Sequence, residues 1–363
     1  MPRLDAFLKL AREQGCSDLH LAVGLPPLLR MYGDVLPIKF RDLDERELKT
    51  YLSEVLTPTQ KKRFEKGEDL DFSYSAENIG RFRVNFYHKS SGPGAAFRYV
   101  PEALPTMESL GLPPVLGKML DHQQGMILVT GSTGMGKSTT LAALINEINH
   151  NRNVNIISLE DPIEFIHPSH KAQVIQREIG THVPDFVQGL RAALREDPDV
   201  ILVGELRDME SLVMAMTAAE TGHLVLATMH TTSAVKTIDR IIDSLPVEQR
   251  QQGKTFLSQN LIGVVSQVLL KTASGHGRRA IFEIMVMTRA IAHLLLEDKT
   301  HMIPAQIQTG RDKGMVLMDQ ALLEAVELKQ VDPNEACEYA IDKNRFKPFV
   351  TDAGLIIQLD HEP

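Results

Sequence analysis

The run Gly131-Ser132-Thr133-Gly134-Met135-Gly136-Lys137-Ser138 has the form G-x-x-x-x-G-K-[ST]. It follows the apolar stretch Met126–Thr130, and from Thr139 the chain takes up helical spacing. A phosphate cradle requires strand, glycine-rich loop and helix in that order. Glycines let backbone N–H groups turn inward onto phosphate oxygens, and the helix N-terminus adds positive potential. Lys137 is expected to reach the β- and γ-phosphates, and Ser138 to ligate Mg²⁺ through its hydroxyl. The loop, with Thr139 behind it, predicts a nucleoside triphosphate site, with ATP the expected nucleotide.

Attack of water on a phosphate needs an acidic group to aim the water and help hold Mg²⁺. Two apolar runs end in acids: Ile156–Leu159 leads to Glu160, Asp161, Pro162 and Glu164, and Val200–Val203 leads to Gly204 and Glu205. Ligands of open α/β sheets collect at the C-terminal ends of strands. Gly204 stands where an aspartate commonly sits, so Glu205 is expected to carry the water-activating role. Glu164 is the second candidate, for the water or the Mg²⁺ network. Glu160 and Asp161 read equally well as capping or solvated turn residues. His230 follows the apolar run Leu224–Thr228 on the side where a γ-phosphate would sit. A neutral imidazole there would sense that phosphate or hold the attacking water. His223 precedes the same run, and positioning is the stronger alternative to a nucleotide contact.

These residues need a sheet to carry them. The runs Met126–Thr130, Ile156–Leu159, Val200–Val203 and Leu224–Thr228 lack polar alternation, which suits strands covered on both faces. Between them Thr139–Asn149, Asp185–Leu194 and Met209–Thr221 have helical spacing. The predicted fold class is α/β, doubly wound, over residues 115–363, with the chain beyond about 245 mostly helical and packed on that core. Residues 1–100 read as a smaller α+β domain. It has a helix ending near Gly15, a strand Asp18–Ala22, and helices Glu45–Leu56 and Pro58–Lys66. A hairpin follows, whose Phe82, Val84 and Phe86 face opposite to Arg81, Arg83, Asn85 and Tyr87. Gly92-Pro93-Gly94 is expected to break the chain before a returning strand Ala95–Val100. The prolines at 101, 105, 113 and 114 mark 101–114 as a linker.

Bulk composition narrows the class. The 363 residues exceed what one core usually serves. A net charge of −8 argues against nucleic acid as the main partner. No apolar stretch suits a membrane span, and the N-terminus lacks a signal-peptide core. Cys16 and Cys337 are the only cysteines, which predicts a reducing cytoplasm and no zinc site.

Taken together, the motifs resemble the PilT-type retraction ATPases of type IV pili, within the type II/IV secretion ATPase superfamily. The resemblance runs through Ser17-Asp18-Leu19-His20-Leu21, Gly24-Leu25-Pro26-Pro27, Gly80-Arg81-Phe82-Arg83-Val84-Asn85 and the phosphate loop. It continues in Glu160-Asp161-Pro162-Ile163-Glu164-Phe165, which looks like the family's Asp box, in the stretch Ala193–Asp199, and in Gly204-Glu205-Leu206-Arg207-Asp208. Thr221-Gly222-His223-Leu224 and His230-Thr231-Thr232-Ser233 look like its His box. It implies a RecA-like P-loop ATPase domain behind a PAS-like N-terminal domain. It further implies a cytoplasmic homohexamer at the inner-membrane face, working on a membrane platform protein, with ATP and Mg²⁺ and without nucleic acid. Arg81, Arg83 or Arg98 would then reach the phosphates and stabilise charge. Two features depart from the pattern. The family motif AIRNLIRE reads here Ala290-Ile291-Ala292-His293-Leu294-Leu295-Leu296-Glu297, and the residues beyond about 330, ending in Arg345-Phe346-Lys347-Pro348-Phe349-Val350, are more similar to the tail of the accessory PilU-type paralogue. An accessory ring subunit acting beside a paralogous retraction ATPase is therefore the alternative, with a type II secretion ATPase behind it.

Overall fold

The computed structural model describes residues 2–31, 34–100, 103–275 and 277–361. Pro101, from the proline cluster, lies outside them. The chain packs as two compact units, one of Met1–Leu104 with Asp161–Ile166, the other of Pro105–Glu160 with His167–Pro363.

The first unit is built on six strands: β1 (Asp18–Ala22), β2 (Leu28–Met31), β3 (Asp34–Pro37), β4 (Leu70–Ala76), β5 (Gly80–Lys89) and β6 (Gly92–Val100). Their order is β3-β2-β1-β6-β5-β4, and every pairing is antiparallel. Alternation along β5 buries Phe82, Val84 and Phe86, with Phe97 of β6 opposite Val84. The helices begin where the sequence supplies caps. Asp44 accepts from Glu47 N ahead of the helix Glu45–Val55. Thr57 and Gln60 form a reciprocal capping box ahead of Pro58–Glu65. Each cap is worth about 1 kcal/mol.

One expectation fails here. Gly92, Pro93 and Gly94 do not break the chain; they lie within β6, in register with Lys89, His88 and Tyr87. The turn is made by Ser90 and Ser91 instead. A Cβ on Gly94 would meet the Tyr87 ring at 2.5 Å, so this glycine makes room for a cross-strand aromatic.

The second unit carries seven strands: β7 (Gly125–Thr130), β8 (Asn155–Glu160), β9 (Gln173–Glu178), β10 (Val200–Val203), β11 (Leu224–Met229), β12 (Leu261–Lys271) and β13 (Arg278–Val286). The order is β13-β12-β7-β11-β10-β8-β9. All neighbours run parallel except the β12–β13 pair. Met126 and Leu128 of β7 join one buried cluster, and Ile127 and Val129 join another. Both faces are therefore covered, which is why the strand reads as an unbroken apolar run. The fold is a RecA-like α/β domain.

The region beyond 245 corrects the sequence reading. Most of its elements are helices, as expected, but it also supplies two strands the reading missed, β12 and β13, of 11 and 9 residues. β12 pairs with β7 and so lies beside the strand that leads into the phosphate loop. Its run Leu-Ile-Gly-Val-Val is buried, and an apolar run without alternation cannot be told from a buried helix by period. Helices then follow, and Phe346 and Val350 of the tail pack with Leu270 of β12 and Ile281 of β13.

Candidate nucleotide site

The phosphate loop joins the end of β7 to the helix Lys137–Asn151. Gly136 is the helix N-cap, with φ +81° and no side-chain cap. Helical bonding starts only at Thr140 N, which donates to Gly136 O at 3.1 Å. The amides of Lys137, Ser138 and Thr139 precede that bond and form the helix N-terminus, where an anion is favoured. Lys137 is 9% exposed, and its Nζ donates to the carbonyls of Gly131 and Ser132 at 2.8 and 3.0 Å. Ser132, Thr133, Gly134 and Ser138 are exposed, and Met135 and Thr139 are half-buried.

A residue missed in the sequence braces this loop. Gln267 of β12 accepts from Thr140 Oγ1 at 2.7 Å and donates Nε2–H to Met135 O at 2.6 Å. A Cβ at position 131 would lie 2.4 Å from Gln267 O, so the chain can pass here only as glycine. Beside Gln267, Ser266 Oγ bonds Thr130 Oγ1 at 2.8 Å. The signal was two adjacent polar residues inside a buried apolar run, a costly arrangement unless each is hydrogen-bonded.

Glu205 follows β10 on a backbone fixed from both sides. Gly204 N donates to Leu159 O at 2.8 Å, and Leu206 N to Thr228 O at 3.0 Å. The next helix is anchored at once by Asp208, whose carboxylate accepts from Ser211 N and Ser211 Oγ at 2.8 and 2.9 Å. The backbone bond from Ser211 leads in holding the Asp208 carboxyl below its usual range. Glu205 Oε1 then lies 2.6 Å from His230 Nε2, and its Oε2 lies 2.8 Å from Arg207 Nε. His230 Nδ1 is 3.5 Å from Thr133 Oγ1, on the phosphate loop. Three predicted residues from three chain segments thus form one line. The imidazole and guanidinium hold both oxygens of a mostly buried carboxylate at the strand ends. Arg207 was not singled out as a site residue from the sequence.

The other candidates have partners of their own. Glu160 Oε1 accepts from Ser158 Oγ at 2.6 Å and Gln176 Nε2 at 3.1 Å. His223 sits at the N-terminal end of β11, its Nδ1 2.8 Å from Ala218 O, while the loop lies at the C-terminal end. The structure does not bring it to the loop. Glu164, Arg81, Arg83 and Arg98 belong to the first unit. Arg83 Nη1 is 3.6 Å from Glu164 Oε1, and Arg98 Nε donates to Asp18 Oδ1 at 2.8 Å. Arg83 and Arg98 are register partners across β5 and β6, and Arg81 pairs with Val100.

Behind the loop a cleft of about 510 Å³ runs from Gly136, Thr139 and Gln267 to Leu110, Arg278 and Arg279. Among the described residues no group of three or more His, Cys, Asp or Glu could hold a metal ion by itself.

A buried parallel sheet, a glycine loop closing on a lysine, and an acid at the end of β10, with β11 between it and the loop strand, define a P-loop ATPase. The chain belongs to the type II/IV secretion system protein family, whose sequence profile matches residues 54–332. It is 46% identical over 319 residues to the type IV pilus retraction ATPase PilT of Pseudomonas aeruginosa, a match covering 88% of this chain and 92% of that one. It is 35% identical over 358 residues to the type IV pilus ATPase PilU of the same organism, covering 99% and 92%. The crystal structure of the pilus retraction motor PilT with bound ADP superposes with a TM-score of 0.88 at 38% identity, covering 94% of this chain and 98% of that one. This chain is an ATP-hydrolysing enzyme of the PilT type.

Proposed function

We propose that this ATPase is a motor that draws type IV pili back, working as a homohexameric ring at the cytoplasmic face of the inner membrane. The ring would act on a membrane platform protein and need no nucleic acid. Among the described residues no helix is long and apolar enough to cross a membrane, so membrane contact would be peripheral. The observation that carries the catalytic reading is the 2.6 Å approach of His230 to Glu205.

The geometry around the loop and Glu205 supports the following assignment of roles. The amides of residues 137–139 and the Lys137 ammonium bind the phosphates. Ser138 contributes its hydroxyl to Mg²⁺, which when bound neutralises charge building on the phosphate oxygens. Glu205 aims the attacking water and takes up its proton. His230 keeps that carboxylate in line and reads the γ-phosphate. Glu164 is the second acid for the water or Mg²⁺ network. Arg81, Arg83 and Arg98 are the candidates for added positive charge, with Arg83 held less closely by its partner than Arg98. The cleft behind Gly136 takes the nucleoside. His223 serves by positioning the turn before β11 rather than through chemistry.

Deletion of the gene, scored for pilus retraction and twitching, tests the motor reading, with the Glu205→Gln gene as complement. Loss of retraction that Glu205→Gln does not restore is the expected result. A second reading is supported by the extent of the matches. The alignment to PilU takes in 99% of this chain and that to PilT 88%. On that reading the chain is an accessory ring subunit acting with a paralogous retraction ATPase. Full-force retraction after deletion, with a PilT paralogue retained, would favour it and overturn the independent motor. ATP turnover stimulated by DNA or RNA would overturn both.

A further inference from the structure

Glu283, on β13, is 4% exposed. A carboxylate taken so far from water costs several kcal/mol unless its oxygens are satisfied. Both are engaged, by the starts of two different helices. Oε1 accepts from Ala234 N at 2.7 Å, the first residue of the helix Ala234–Ser244. Oε2 accepts from Met318 N at 3.2 Å, the first residue of the helix Met318–Glu327, whose N-cap Leu317 offers no side-chain cap. Ala234 ends the short loop that begins at His230, and Thr231 Oγ1 bonds Thr237 Oγ1 at 2.6 Å to keep that loop compact. The segment before Met318 is pinned to β13 as well, since Val316 and Ile284 exchange backbone bonds at 2.9 and 3.1 Å. Burial pushes the Glu283 carboxyl up, while the bonds from Ala234 and Met318 oppose the shift; Asp319 and Lys236 are the charged neighbours.

We propose that Glu283 is a positioning residue for hydrolysis, its carboxylate joining the loop that holds His230 to the helix Met318–Glu327, so that the two are set together. This rests on the reading of His230 given above. A glutamine at 283 would keep the shape but accept only one of the two bonds, because its amide NH₂ would face a second N–H donor.

The test is a cycle on the full-length protein: Glu283→Gln, His230→Ala and the double variant. MgATP turnover is normalised to nucleotide sites counted with ADP. Glu283→Gln should lower kcat roughly tenfold or more through displacement of His230, with KM unchanged within about twofold because the phosphate loop is untouched. The double variant should be no slower than His230→Ala within about twofold, since both lesions act on one group. Wild-type kcat in Glu283→Gln, or losses that multiply in the double variant while His230→Ala alone is slow, overturns this inference and leaves the role of His230 standing. Wild-type kcat in His230→Ala overturns both. Should Glu283→Gln not fold, Glu283→Asp enters the same cycle with the same outcomes.

Discussion

His223 and His230 bracket β11, a strand of six residues, which sets them about 20 Å apart along one edge-to-edge line of the sheet. Each has a hydrogen-bond partner, but of a different kind. His223 meets the carbonyl of Ala218 and so finishes the turn after the helix Met209–Glu220. His230 meets a carboxylate at 2.6 Å and a phosphate-loop hydroxyl at 3.5 Å. The residue type is the same and the strand is the same; strand direction separates structure from chemistry. In a parallel sheet every C-terminal end opens on one side, so the loops that bind phosphate and the acids that move protons converge there.

Substitutions can break or sharpen that contrast. The largest effect should come from Lys137→Ala, which removes the cation from the loop. Turnover should fall by about three orders of magnitude or more, with ADP affinity lost alongside it. Calorimetric ADP binding and steady-state turnover check this, and near-normal values would move the phosphates away from the C-terminal edge. A third histidine supplies the next effect, in stability. His167 is 7% exposed, and burial pushes its pKa down to about 4. Its folded value lies below its unfolded one, so its contribution is fully present above about pH 6.5 and is lost as pH falls toward 4, a total of about 3 kcal/mol. Urea unfolding across that window should show a shallower pH dependence in His167→Leu than in the parent. His230→Ala should reduce kcat about tenfold to a hundredfold while ADP affinity holds. The smallest effect is expected for His223→Ala, with kcat within about twofold and stability lowered by about 1 kcal/mol through one lost hydrogen bond. Denaturant midpoints and turnover on the two variants side by side decide the matter. Equal losses of kcat would erase the distinction between the two ends of β11.

The phosphate loop, Glu205 and His230 were readable from sequence because each sits at the end of a short apolar run whose burial on both faces leaves a local signature. The bracing of that loop was not. Gln267 reaches it from β12, more than a hundred residues downstream, and Glu283 on β13 holds Ala234 near His230, through pairings that periodicity does not encode. The double burial that marked β7 and β10 as strands also disguised β12, which follows a helix directly and lacks alternation. In the first unit, β3 is exposed at every position, so no alternating pattern announced it. Gly94 read as a breaker because its role depends on the Tyr87 ring opposite, visible only once the strands are paired.

The central claim is that the carboxylate beside His230 performs hydrolysis and plays no part in holding the nucleotide. Glu205→Gln separates these two acts with almost no change in shape. ATP affinity and steady-state turnover of that variant should show binding within about twofold of the parent and kcat lower by about a hundredfold or more. A Glu205→Gln enzyme that binds and hydrolyses ATP at the parent rate would contradict the account.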